Sequence, residues 1–338
     1  MPNVTSVTAQ PIIKNNLNKV SIAIGLLIVG IAAVILYRLL QDIEPGKILA
    51  ALEDKSPAAI LIAGACVAGG YLTLTAYDFF ALRALGKNDV PYRVAALASF
   101  TSYTIGHNLG ATVFTAGAIR YRIYSPWGLT VLDIAKMAFI TGLTFWLGNT
   151  FVLGVGMAYD PAASAGVNQL PLWANRMIGL AGLVVIVGYL IWLLPRPRVI
   201  GRFGWRVALP NFRLTFVQIG IGILDLSCSG LAMYVLLPDE PSIAFVTLLV
   251  VFVTALLLGF LSHAPGSLGV IEAAMLLALP QFQKEELLAS LMIFRFVYFI
   301  MPLCCATCLL VLRELWVSAA ARRKQISGKA ADPFRSDK

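Results

Sequence analysis

The chain has 338 residues, 59% of them hydrophobic and only 13% charged, with a formal net charge of +9. Soluble domains run near 45–50% apolar and about 25% charged, so this composition argues against a soluble enzyme or binding module. The mean hydropathy of +0.82 points instead to an integral membrane protein.

Residues 1–19 are polar and are expected to form a disordered cytoplasmic N-terminus. A first span covers 20–40. It is longer than a signal-peptide core and no small-residue cleavage site follows, so it reads as an uncleaved helix. Further runs of about 20 apolar residues, long enough to cross a bilayer, lie near 58–82, 130–158, 174–194, 214–237, 243–262 and 288–312. No stretch between them could build a separate soluble core. Residues 20–312 are therefore read as one polytopic membrane domain, followed by a basic cytoplasmic tail at 313–338.

Charge placement orients these spans. Arg196, Arg198, Arg202, Arg206 and Arg213 crowd one loop without an acid, and Arg322, Arg323, Lys324 and Lys329 follow the last span. Such clusters mark cytoplasmic segments, which explains the positive charge without a nucleic-acid partner. With both termini cytoplasmic, span 58–82 runs inward and 130–158 runs outward. Residues 94–119 lie between Arg93 and Arg120, both cytoplasmic, and so must enter and return as a re-entrant hairpin with Gly106–Gly110 at its tip. Span 174–194 returns to the arginine loop. Span 214–237 then exits and 288–312 comes back, which makes 243–280 a second hairpin turning at His263–Gly269. The expected fold is an all-α membrane protein of seven to eight transmembrane helices. Two re-entrant or broken hairpins sit in an inverted repeat (58–158 and 214–312), and hairpin tips near the midplane are where transporters hold substrate.

Ionisable groups at membrane depth cost roughly 2.5–3.5 kcal/mol each on the insertion scale, so those present are candidates for function. They are Asp78, His107, Asp225, His263, Glu272 and Arg295, with Arg120 and Arg122 at the cytoplasmic mouth. Glu272 lies one turn into the helix that follows Pro265, Gly266, Ser267, Leu268 and Gly269. That helix start would offer unpaired N–H groups to a lipid phosphate, with Ser267 capping or donating. Arg295 is the expected counter-charge of Glu272, and Asp78 is expected to pair with Arg83 or to be solvated at the interface. His107 and His263 are read as hydrogen-bonding groups at the two tips, and Asp225, near Ser227 and Ser229, as a candidate for proton coupling. All five cysteines lie in apolar spans and read as packing thiols, so no metal or cofactor is called for. No phosphate loop, nucleophile elbow or H-E-x-x-H occurs.

The run Ser102, Tyr103, Gly106, Asn108, Gly110, Gly117, Arg120, Tyr121, Arg122, Tyr124, Ser125 resembles the first signature of the lysylphosphatidylglycerol synthase transmembrane family. The run Pro265–Glu272 resembles its second, P-G-G-x-G-x-x-E, with Ser267 in place of a glycine and Arg295 following. The resemblance covers roughly 20–315 and implies a flippase-type membrane domain. It does not carry over the synthase activity, because only a short basic tail follows Leu312. The resulting expectation is a translocase in the bacterial inner membrane, moving a phospholipid (phosphatidylglycerol-type or aminoacylated) or glycolipid whose phosphate meets Tyr103, Gly106, His107, Asn108, Gly110, Arg120, Arg122, His263, Pro265, Gly266, Ser267, Gly269, Glu272 and Arg295. Two alternatives are a membrane-embedded headgroup transferase and a non-transporting partner of a separate synthase or glycosyltransferase.

Overall fold

The computed structural model describes residues 45–109, 112–194, 198–201 and 207–331, together with Val34 and Tyr37. The expected tail at 1–19, most of the span at 20–40, Gly110, Arg196, Arg202 and Arg206 lie outside the described residues. The protein is an all-α membrane protein. Among the described residues, six helices are long and apolar enough to cross a membrane.

Helix α1 (Pro45–Glu53) is a short turn of structure in the expected loop at 41–57. Helix α2 (Pro57–Ala84) starts at a proline, whose missing N–H costs nothing at a first helical position. The first hairpin consists of α3 (Tyr92–Leu109) and α4 (Thr112–Tyr124). Helix α5 (Val131–Tyr159) opens on a capping box: Asp133 N donates to Thr130 Oγ1 (3.2 Å), and Thr130 N donates to Asp133 Oδ2 (3.0 Å). A short α6 (Pro161–Asn168) leads to α7 (Leu172–Leu193). The arginine loop holds a two-residue antiparallel ladder, β1 (Val199–Ile200) on β2 (Val207–Ala208).

The second half begins with α8 (Phe212–Leu236), capped by Asn211, whose Oδ1 accepts from Leu214 N at 2.9 Å. The second hairpin is α9 (Phe245–Ser262), a single 3₁₀ turn at Pro265–Ser267, and α10 (Val270–Ala278). The last span joins α11 (Lys284–Arg295) to α12 (Met301–Ala331) through a π-helical turn at Phe296–Ile300. The helix thus continues well into the expected tail.

Each half therefore reads span, helical hairpin, span, with α7 between the halves. The equivalent helices α2 and α8 pack along each other. Tyr77 near the end of α2 lies by Asp225 in mid-α8, whereas Lys55 just before α2 donates from Nζ to Leu236 O at the end of α8 (2.9 Å), so the two run antiparallel, as an inverted repeat requires. On its other side α8 crosses α5 at a point where neither helix has a side chain. A Cβ on Gly148 would lie 2.7 Å from Gly222 Cα, so only glycine permits that approach.

Candidate functional site

The second hairpin tip has an unusual backbone. His263, Gly266, Ser267 and Gly269 all take positive φ (54°, 57°, 52° and 78°), a region that non-glycine residues seldom occupy. Hydrogen bonds hold this shape. Arg295 donates from Nη1 to Gly266 O (2.8 Å) and from Nη2 to Ser267 O (3.3 Å), while its Nε pairs with Glu272. Glu272 in turn accepts from the Gly269 N–H at 2.9 Å. The start of α10 is thus capped by its own carboxylate. The Glu272–Arg295 pair expected from sequence exists, but it braces the tip from behind and does not line the cavity described below.

The π turn that follows Arg295 connects the tip to the first half. Inside it, Tyr298 O accepts from the Tyr71 hydroxyl (3.0 Å) and Phe299 O accepts from Asn108 Nδ2 (3.3 Å). A π turn breaks the regular helical register, and side chains of α2 and α3 satisfy its carbonyls here. Asn108 also donates to Thr104 O (2.8 Å), so it fastens the end of α3 to the last span.

Arg120 departs furthest from expectation. It is not at an open mouth but buried, 3% exposed. It donates from Nε to both oxygens of Asp78 (3.1 and 3.0 Å) and from Nη2 to Oδ1 (2.7 Å). The Tyr124 hydroxyl donates to Asp78 Oδ2 at 3.0 Å, and the guanidinium lies 4.7 Å over the Tyr103 ring. The partner of Asp78 is therefore Arg120, 42 residues away, and not Arg83, which donates to Asn88 Oδ1 (3.2 Å). Bidentate geometry with a third donor on the carboxylate is the form in which a buried ion pair recovers its desolvation cost. Arg122, by contrast, is exposed and pairs with Glu314 (2.8 Å) beside an apolar crevice between α4 and α12.

The two tips meet. The 3₁₀ turn of hairpin two packs on α3, and a cavity of about 190 Å³ lies between both hairpins and helices α2, α5 and α8. Its polar border includes His107, Arg120, Thr141, Asp225, His263 and Ser267. Its apolar wall is aromatic, with Tyr77, Tyr103, Phe145, Trp146, Phe260 and Tyr298. The Tyr103 ring lies 5.9 Å from both Tyr77 and His107, which links the two sides of the cavity. Asp225, 8% exposed, enters it from α8 with the Thr73 and Tyr77 hydroxyls within hydrogen-bonding reach.

Of the residues singled out by sequence, Tyr103, His107, Arg120, Asp225, His263 and Ser267 border this cavity. Gly106, Asn108, Pro265, Gly266, Gly269, Glu272 and Arg295 shape or brace the tips without lining it. The sequence reading missed Tyr77, Trp146 and Tyr298. Their only advance signal was position, one residue before Asp78 for Tyr77 and three after Arg295 for Tyr298. Among the described residues, no group of three or more His, Cys, Asp or Glu could hold a metal ion.

No family model matches the chain. It is 31% identical over 265 residues to the uncharacterized protein slr0712 of Synechocystis, a match covering 78% of this chain and 81% of that protein. The chain belongs to the family of slr0712. The Escherichia coli inner membrane protein YbhN is 29% identical over 273 residues, covering 78% of this chain and 82% of YbhN. YbhN agrees with a membrane-embedded role, and neither relative speaks to any chemistry.

Proposed function

We propose that this protein moves a phosphate-bearing lipid between the leaflets of the bacterial inner membrane, as a relative of the lysylphosphatidylglycerol synthase transmembrane family. The observation that carries the reading is the cavity between the hairpin tips. It combines an arginine, two histidines, a serine and a carboxylate with a wall of aromatic rings at the depth of crossing helices. Polar groups gathered at a repeat interface inside a membrane domain mark substrate paths. An amphiphile suits this lining, because its headgroup can exchange water for the polar border while its chains stay in the bilayer. On this reading the Glu272–Arg295 brace keeps the second tip in shape for binding, and His107, Ser267 and Arg120 meet the headgroup.

The test is leaflet exchange of fluorescent phospholipids in liposomes holding the purified protein. Exchange well above that of protein-free liposomes is expected, falling about tenfold or more in a His107→Ala, Ser267→Ala double variant, a loss of about 1.4 kcal/mol. Exchange no faster than in protein-free liposomes, across anionic, zwitterionic and glycolipid probes, would overturn translocation.

A further inference from the structure

Phosphate binding leaves Asp225 without a purpose. Its carboxylate lies mid-way along α8, and no ion pair joins it to Lys, Arg or His among the described residues. The ionisable groups facing it are the phenols of Tyr71, Tyr77 and Tyr298 and the thiol of Cys228, none of them cationic. The Thr73 and Tyr77 hydroxyls offer it hydrogen bonds but no charge. An anion in a water-poor site without a counter-cation is costly to keep. Arg120 cannot offset it, because Asp78 already matches that charge. The carboxylate of Asp225 borders the cavity with no ion-pair partner among the described residues. A purely anionic headgroup would add a second negative charge.

We propose that the cavity selects a small zwitterionic lipid headgroup, a phosphate joined to a primary ammonium as in phosphatidylethanolamine. The ammonium sits on Asp225 between the Tyr77 and Tyr298 rings, and the phosphate lies toward Arg120, His107 and Ser267. The aromatic faces add cation–π attraction for the ammonium. Size agrees. A cavity of about 190 Å³ has room for phosphoethanolamine. The inference rests on the translocase reading only in that a lipid headgroup enters this cavity.

The experiment is lipid retention at equilibrium. The full chain is placed in nanodiscs of equal parts phosphatidylethanolamine and phosphatidylglycerol, then stripped in mild detergent, and the retained lipid is counted by native mass spectrometry. Enrichment of phosphatidylethanolamine by about tenfold is expected, abolished in Asp225→Asn. A second arm needs no variant: N-acetylphosphatidylethanolamine, whose nitrogen carries no charge, should show no enrichment on the wild-type protein. Equal retention of the two parent lipids, or enrichment of phosphatidylglycerol, overturns the proposal, as does full retention of the N-acetyl lipid. Proton exchange at Asp225 would give the first of these results. Soluble O-phosphoethanolamine binding as tightly as the lipid would assign the site to a free metabolite and overturn its lipid part. Retention requires no movement, so absent leaflet exchange beside a clear headgroup preference would remove translocation and leave the preference standing.

Discussion

At the scale of single residues, two arginine–carboxylate pairs do different work. Arg120–Asp78 is sealed, with side chains 4% and 0% exposed, whereas Arg295–Glu272 is half open at 16% and 15%. Removing one charge from the sealed pair leaves the other buried and unmatched. Asp78→Asn should therefore cost about 3–5 kcal/mol, measured by reversible unfolding in mixed micelles. The exposed Arg122–Glu314 pair is the control: Arg122→Gln should leave the same unfolding curve unmoved. Both arginines were visible in the sequence as charges at one hairpin end. Which of them turned inward was not, because that depends on Asp78 and Tyr124 converging from two different helices.

At the scale of elements, the hairpins and the π turn set the geometry, and the glycine crossing of α5 on α8 sets how closely the halves approach. Gly148 and Gly222 let two backbones touch where a methyl group would collide with main chain. Gly148→Ala must push α8 away from α5 and should destabilise by about 1–3 kcal/mol in the same unfolding assay, while Gly142→Ala on α5, with open space at its Cβ, should cost nothing. The first hairpin was legible because Arg93 and Arg120, both read as cytoplasmic, bracket an apolar segment that must enter and return, and the second because spans 214–237 and 288–312 leave 243–280 starting and ending on one side. The π turn was not. Its residues Phe296–Ile300 read as ordinary apolar helix, and only the side-chain donors Tyr71 and Asn108, far away in sequence, satisfy its shifted carbonyls.

At the scale of the whole molecule, the antiparallel packing of α2 on α8 gives the two halves opposite senses, with one tip from each meeting at the cavity. The positive-inside reading of the charge distribution predicts a cytoplasmic arginine loop and cytoplasmic termini. Single cysteines introduced in a cysteine-free background should then label differently from the two sides of inside-out and right-side-out vesicles. Lys87→Cys should react from the cytoplasmic face and Asp239→Cys from the opposite face. The reverse pattern would invert the molecule.

Composition and spacing alone determined the class, the order of the six described spans, and the two hairpins with their histidine-bearing tips. Those features follow from the bilayer's demand for continuous apolar helices and from the cost of moving positive charge across it, both of which can be read along a chain. Tertiary structure alone decided the contacts that follow. Asp78 went to Arg120, Glu272 turned back to cap Gly269, and Arg295 clamped the tip carbonyls. Asp225 came to face the cavity without a cation among the described residues. Pairing depends on which faces of distant helices meet. Asp78 and Arg120, separated by 42 residues, carry no local signal of that meeting, whereas the pairing of Arg295 with Glu272 was expected from the sequence.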